Sequence, residues 1–205
     1  MDGVFYYFLL TVIIINIAPG PAMLYVLNQS VKFGIGKGLK VAAGVEVGVF
    51  FYVICVSFGL VVFFNHFPLV FQAIKIVGAV YLLWLAVTAW PKTSNKAITT
   101  EEVKTDLDAR HVFSKGLLIN LTNPKIGLFF VSLLPQFIPT NASPAWMYLL
   151  AYGLVFNLGG IIVNSVVGML GLKMKSLLNR AGWFDYVPPV LFMIIAAITI
   201  GKMFL

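Results

Sequence analysis

Two long apolar stretches of this chain carry helix-breaking residues where a lipid-embedded helix should run without interruption. The first contains IAPGP, residues 17–21, and the second NLTNPKIGLFF, residues 120–130. Pro19 and Pro21 lack backbone donors, and Gly20 loosens the turn between them. Pro124 acts in the same way after Asn120 and Asn123. In hydrocarbon every freed carbonyl or amide needs a partner. Broken helices therefore persist only where they face protein or a wet cavity. One break in each half of the chain points to a transporter with its substrate site between two repeats.

That argument requires the stretches to be membrane spans, and the composition supports it. Hydrophobic residues make up 60% of the 205 residues and charged residues 10%, against roughly 25% charged in a soluble domain. Mean hydropathy is +0.98. The 18 Phe and 18 Gly suit a helical bundle in which Phe meets lipid and Gly permits close helix contact. Six spans are expected, over residues 4–27, 41–64, 69–90, 112–135, 146–171 and 187–204. Each is near the ~20 residues that cross a ~30 Å hydrocarbon layer. A signal peptide is disfavoured at the N-terminus, because MDG carries Asp2 and no Lys or Arg.

Charge sets the orientation. Lys32, Lys37 and Lys40 lie between spans one and two. Lys92, Lys96, Lys104 and Arg110 lie in residues 91–111, and Lys173, Lys175 and Arg180 precede span six. The opposite loops, NHFP and IPTNASPA, hold no Lys or Arg. The positive-inside rule places the basic connections in the cytoplasm and both termini outside. This bias accounts for the net charge of +7 without a nucleic-acid partner. The organisation expected is a first three-helix repeat over 1–90, a cytoplasmic connection over 91–111 and a second three-helix repeat over 112–205. Because span one runs inward and span four outward, the repeats are inverted. The fold class is all-α, a six-helix integral membrane protein.

Span two places Gly44, Gly48, Cys55 and Gly59 near one face. Span five carries a longer stripe through Gly153, Asn157, Gly160, Asn164, Gly168 and Gly171. Tight packing explains the glycines. The amides of Asn157 and Asn164 need a neighbouring helix, water or substrate. Few ionisable groups lie within the spans. Glu46 sits ~9 Å into span two and Lys125 ~20 Å into span four, at 1.5 Å per residue. A charge at that depth costs several kcal/mol unless it is paired or hydrated. Glu46 reads either as an inner-end anchor or helix-pair salt bridge, or as a coupling group. Lys125 reads either as structural or as a substrate or ion-coupling residue. Lys75 reads as a snorkelling side chain.

These residues carry a family resemblance over the whole chain. APGPAMLYVLNQSVKFGIGKGLKVAAGVEVG, KIVGAVYLLWLA and FSKGLLINLTNPKIGLFFVSLLPQF resemble, in order, the signatures of a LysE/RhtB-type amino-acid exporter. The resemblance implies a secondary exporter of amino acids or related small metabolites in the bacterial cytoplasmic membrane, without an ATPase domain. It matches Pro19, Gly20 and Pro21 to the signature break, and Gly44 and Gly48 to the small-residue pair of span two. Tyr81 and Trp84 match the aromatic positions of span three. Asn120, Asn123, Pro124 and Lys125 match the second break. The chain departs from the pattern at Val49, where many relatives have an acid; Glu46 stands one turn earlier. WFDYVPPVLF also replaces sequence that is often glycine-rich near span six.

Nothing in the sequence argues for an enzyme. Cys55 is alone, and His66 and His111 fall on opposite sides of the membrane, so no metal site forms between them. No phosphate-binding loop and no cofactor are expected. The expected partners are an amino acid or related small zwitterion, protons as coupling ion, and lipid, with a homo-oligomer left open. In the working scheme Glu46 takes up a proton from outside, while Lys125 biases its protonation or binds the substrate carboxylate. The exposed helix starts at the breaks would also offer amides to that carboxylate. A channel or facilitative transporter, and a non-transporting accessory protein, are the alternative readings.

Overall fold

The first helix of this chain stops where proline withholds a donor. The computed structural model describes residues 2–60, 111–139 and 143–171, together with isolated positions within 73–90 and 173–201. Helix α1 (Asp2–Ile17) makes its last bond from the Ala18 amide to the Ile14 carbonyl, at 2.9 Å. The next donor would belong to Pro19, which has none. Helix α2 (Pro21–Phe33) begins with Pro21 in its first turn, where a missing N–H costs nothing. The two helices meet at a 48° bend.

Gly34, at φ 88°, makes the tight corner between α2 and α3 (Ile35–Cys55), a conformation that L side chains rarely adopt. This single-residue corner changes the expected boundaries. Lys37 and Lys40 lie within α3 and Lys32 in the last turn of α2. Lysine is a good helix former, so the helices continue past the edges of their apolar runs. Helix α3 extends through one π-helical turn, Val56–Leu60.

The second half repeats the pattern. Helix α4 (Val112–Leu121) breaks at Asn123 and resumes as α5 (Pro124–Leu128), which continues through a π-helical turn, Phe129–Leu133, and a 3-10 turn, Leu134–Phe137. The bend is 47°. Helix α6 (Ala145–Met169) follows. Each half thus has a broken helix followed by a straight apolar one, 25 residues long in both cases, Ile35–Gly59 and Ala145–Met169.

Among the described residues these two straight helices are long and apolar enough to cross a membrane, and four spans result if each bent pair is one span. The expected spans over 69–90 and 187–204 and the connection over 91–111 lie largely outside the described residues. The outward faces are apolar, with Tyr6, Leu10, Ile13, Phe50, Phe51 and Ile162 exposed, as lipid contact requires. The protein is an all-α, multi-pass membrane protein with helical repeats.

Helix α3 is the central element, and missing side chains let its neighbours approach. A Cβ on Gly44 would lie 2.1 Å from the Phe113 carbonyl oxygen, and one on Gly116 would lie 2.6 Å from that of Val41. The α3–α4 contact is therefore backbone against backbone. Along α6, Gly153 meets Val53, Gly160 meets Glu46 and Gly168 meets Leu39. One number rises as the other falls, so α3 and α6 run antiparallel. Two apolar clusters form the core. One contains Phe8, Ile15, Val53, Phe129, Phe130 and Phe156; the other contains Val26, Leu27, Val41, Val45 and Val167.

Candidate functional site

Both breaks open onto one cavity, which borders both apolar clusters. Its wall includes Asn16, Ala18, Gly20, Glu46, Val49, Asn120, Asn123, Lys125 and Asn164. About 30 Å³ is open to water-sized molecules, room for about two waters at ~10–15 Å³ each.

Lys125 joins the breaks. Its Nζ donates to the carbonyl oxygens of Ile15 at 3.0 Å and Ala18 at 2.9 Å. In a continuous helix the Ile15 carbonyl would accept from residue 19, and proline cannot donate. The ammonium of the second break therefore caps the helix end left open by the first, where the macrodipole also favours a cation. Gly20 makes room for it, since a Cβ there would lie 3.2 Å from Nζ.

The second break satisfies itself differently. Asn123 Oδ1 accepts from the Lys125 backbone amide at 3.1 Å, so the start of α5 is capped by its own side chain. This corrects the expectation of an open helix start at that break. The Leu121 carbonyl, deprived of that amide, accepts from the Tyr52 hydroxyl at 2.7 Å. The prolines act through the donors they lack; Pro19, Pro21 and Pro124 are themselves exposed.

Glu46 projects from α3 toward α6 and is buried. Asn157 Nδ2 donates to its Oε2 at 2.8 Å and to its backbone carbonyl at 3.1 Å, and Asn164 Nδ2 donates to its Oε1 at 2.7 Å. The two asparagines lie seven residues apart, two turns along one face of α6. Gly160 stands between them, and a Cβ there would lie 2.7 and 2.9 Å from the carboxylate oxygens. Among the described residues no cation pairs with Glu46. The helix-pair salt bridge expected as one reading of Glu46 is therefore corrected among the described residues: Glu46 is held by neutral amides, and the ammonium of Lys125 serves backbone carbonyls.

Gly48 seats Asn120, whose Cβ and Oδ1 lie 2.9 and 3.0 Å from the place of a Gly48 Cβ. The Oδ1 atoms of Asn120 and Asn164 are buried without a hydrogen-bond partner among the described residues. Gly44 serves the α3–α4 crossing and does not line the cavity. Tyr81 lies outside the described residues. Trp84 is 55% exposed and is not among the described residues that line the cavity. Sequence reasoning missed Asn16, which lines the cavity and donates from Nδ2 to the Phe156 carbonyl at 3.2 Å. Its signal was a lone amide in IIINIAPGP, just before the break.

Sequence comparison places this arrangement. The model of LysE type translocators matches residues 13–201, a stretch that holds both breaks, Glu46, Lys125 and both asparagines of α6. The chain belongs to the LysE type translocator family. Family members are secondary transporters of amino acids and related small metabolites, so this translocator is a transporter and not an enzyme. A homoserine/homoserine lactone efflux protein of Salmonella typhimurium is 29% identical over 160 residues, covering 78% of this translocator and 74% of the relative. A leucine efflux protein of Klebsiella pneumoniae is 32% identical over 138 residues, covering 66% and 63%. A membrane protein of Pseudomonas aeruginosa is 29% identical over 180 residues, covering 86% and 83%. No solved structure matches with significance.

Proposed function

We propose that this translocator exports a small amino acid or close relative from the bacterial cytoplasm in exchange for protons, through the cavity between the two breaks. The observation that carries the reading is Glu46, a buried carboxyl held by two neutral amides in a cavity that both breaks reach. A carboxylate at such depth costs several kcal/mol without a counter-charge. A proton or a cationic substrate group removes that cost, and alternation between the two couples their movements. Lys125 joins the two breaks while the cavity is narrow. Efflux of leucine, homoserine and homoserine lactone, named for the relatives, supports a small substrate with an uncharged side chain.

The proposed frame has six spans in two inverted repeats, 1–90 and 112–205, joined by a cytoplasmic segment over 91–111, with both termini outside. The 48° and 47° bends and the antiparallel run of α3 and α6 support inversion. Narrowness of the cavity favours an occluding transporter over an open channel. The test is efflux of labelled leucine, threonine and homoserine from proteoliposomes loaded with each, with and without an imposed proton gradient. Efflux of at least one, accelerated by inward proton flow, is expected. Efflux indifferent to pH and potential would replace coupling with facilitated diffusion, and ion conduction without amino-acid flux would replace the exporter with a channel.

A further inference from the structure

We propose that this translocator selects its substrate by the ammonium group, held by Glu46 and Asn164, and that the substrate carboxylate contributes little to binding. The inference rests on the exporter reading and deepens it. Each Glu46 oxygen accepts one amide hydrogen, while an ionised carboxylate offers about four lone-pair positions. Acceptor capacity therefore remains. Asn164 commits its Nδ2 to Glu46, which leaves its Oδ1 beside the same carboxyl group, buried and without a donor among the described residues. Across the wall, Asn120 Oδ1 is a second buried acceptor without a donor among the described residues. Buried polar atoms are almost always bonded, and an orphan is explained by a missing partner. These orphans are both acceptors, and they share a wall with a carboxyl group that no cation pairs among the described residues. The complementary ligand is a cation rich in N–H donors.

The groups suited to a carboxylate are largely engaged elsewhere. Lys125 gives two of its three N–H donors to Ile15 and Ala18. Its backbone amide is held by Asn123. The uncapped start of α2 remains, and it offers the carboxylate only the partial positive charge of a helix N-terminus, with one amide missing at Pro21. The cavity, with room for about two waters, fits an ammonium head and leaves the rest of the substrate to be enclosed as the breaks separate.

The test uses the full chain in proteoliposomes. For whichever of leucine, threonine and homoserine shows efflux, two competitors are compared: its amide, which keeps the ammonium and masks the carboxylate, and its 2-hydroxy acid, which does the reverse. Protein-free liposomes correct for passive leak. The amide should compete within about threefold of the parent, and the hydroxy acid about 10–100-fold more weakly, as for loss of hydrogen bonds to a charged group. Asn164→Ala should raise KM for the parent and weaken the amide in parallel, so that the preference for amide over hydroxy acid shrinks; a merely structural role would leave that ratio unchanged. A hydroxy acid competing as well as the parent, an amide that fails to compete, or an unchanged ratio in Asn164→Ala would overturn the proposal while leaving export intact. If none of the three amino acids moves, the exporter reading falls and this inference with it.

Discussion

The Lys125 ammonium lies 2.9 Å from the Ala18 carbonyl oxygen, so a side chain from the second broken helix closes the first. The residues are 107 positions apart in sequence. Each break is thereby a structural partner of the other.

Lys125→Met removes both donors and leaves the Ile15 and Ala18 carbonyls open. Two orphaned carbonyls at ~1–3 kcal/mol each give a loss of about 2 kcal/mol or more. Thermal unfolding in detergent should show a clear fall in Tm, and export should fall with it. Tyr52→Phe, which frees only the Leu121 carbonyl, should lose about 1 kcal/mol. A Lys125→Met protein as stable as the parent would remove the capping role.

Gly160→Ala tests the seat of Glu46. The added methyl would lie 2.7 Å from Oε2 and 2.9 Å from Oε1, so the carboxylate must leave its asparagine donors. Export should drop at least tenfold. Gly36→Ala, whose Cβ meets nothing within 4 Å, should export normally. Equal export by the two variants would dissociate Glu46 from transport.

Topology is tested by cysteine labelling. With the exposed Cys55 replaced, Ser94→Cys and Ser143→Cys are treated with an impermeant thiol reagent on intact cells. Position 143 should label and position 94 should not. The reverse pattern would invert the orientation.

The sequence made the breaks legible because proline and glycine contradict an apolar helix so plainly. Glu46, Lys125, Asn157 and Asn164 stood out for the same reason, as polar groups with no apparent place in lipid. What they bind was less legible. Opposite charges invite pairing, but the partners of Lys125 are backbone carbonyls, which no residue pattern displays. Pro19 held the missing clue, since a proline leaves the carbonyl four residues earlier without its donor, and that carbonyl belongs to Ile15. Gly160 resembled its neighbours in a packing stripe, and only side-chain direction separates it as the seat of a carboxylate. Trp84 matched a family pattern, yet a pattern does not say which face of a helix a residue occupies.

The central claim is that Glu46 carries the coupling proton, and the most direct measurement is substrate-driven proton movement. Proteoliposomes containing a pH-sensitive dye are given an outward gradient of the transported amino acid, with no initial pH difference. The parent protein should acidify the lumen as substrate leaves and protons enter. Glu46→Gln keeps the side chain's shape but cannot gain or lose the proton, so lumenal pH should stay flat in a folded, membrane-inserted variant. Acidification by Glu46→Gln at the parent's rate would contradict the account.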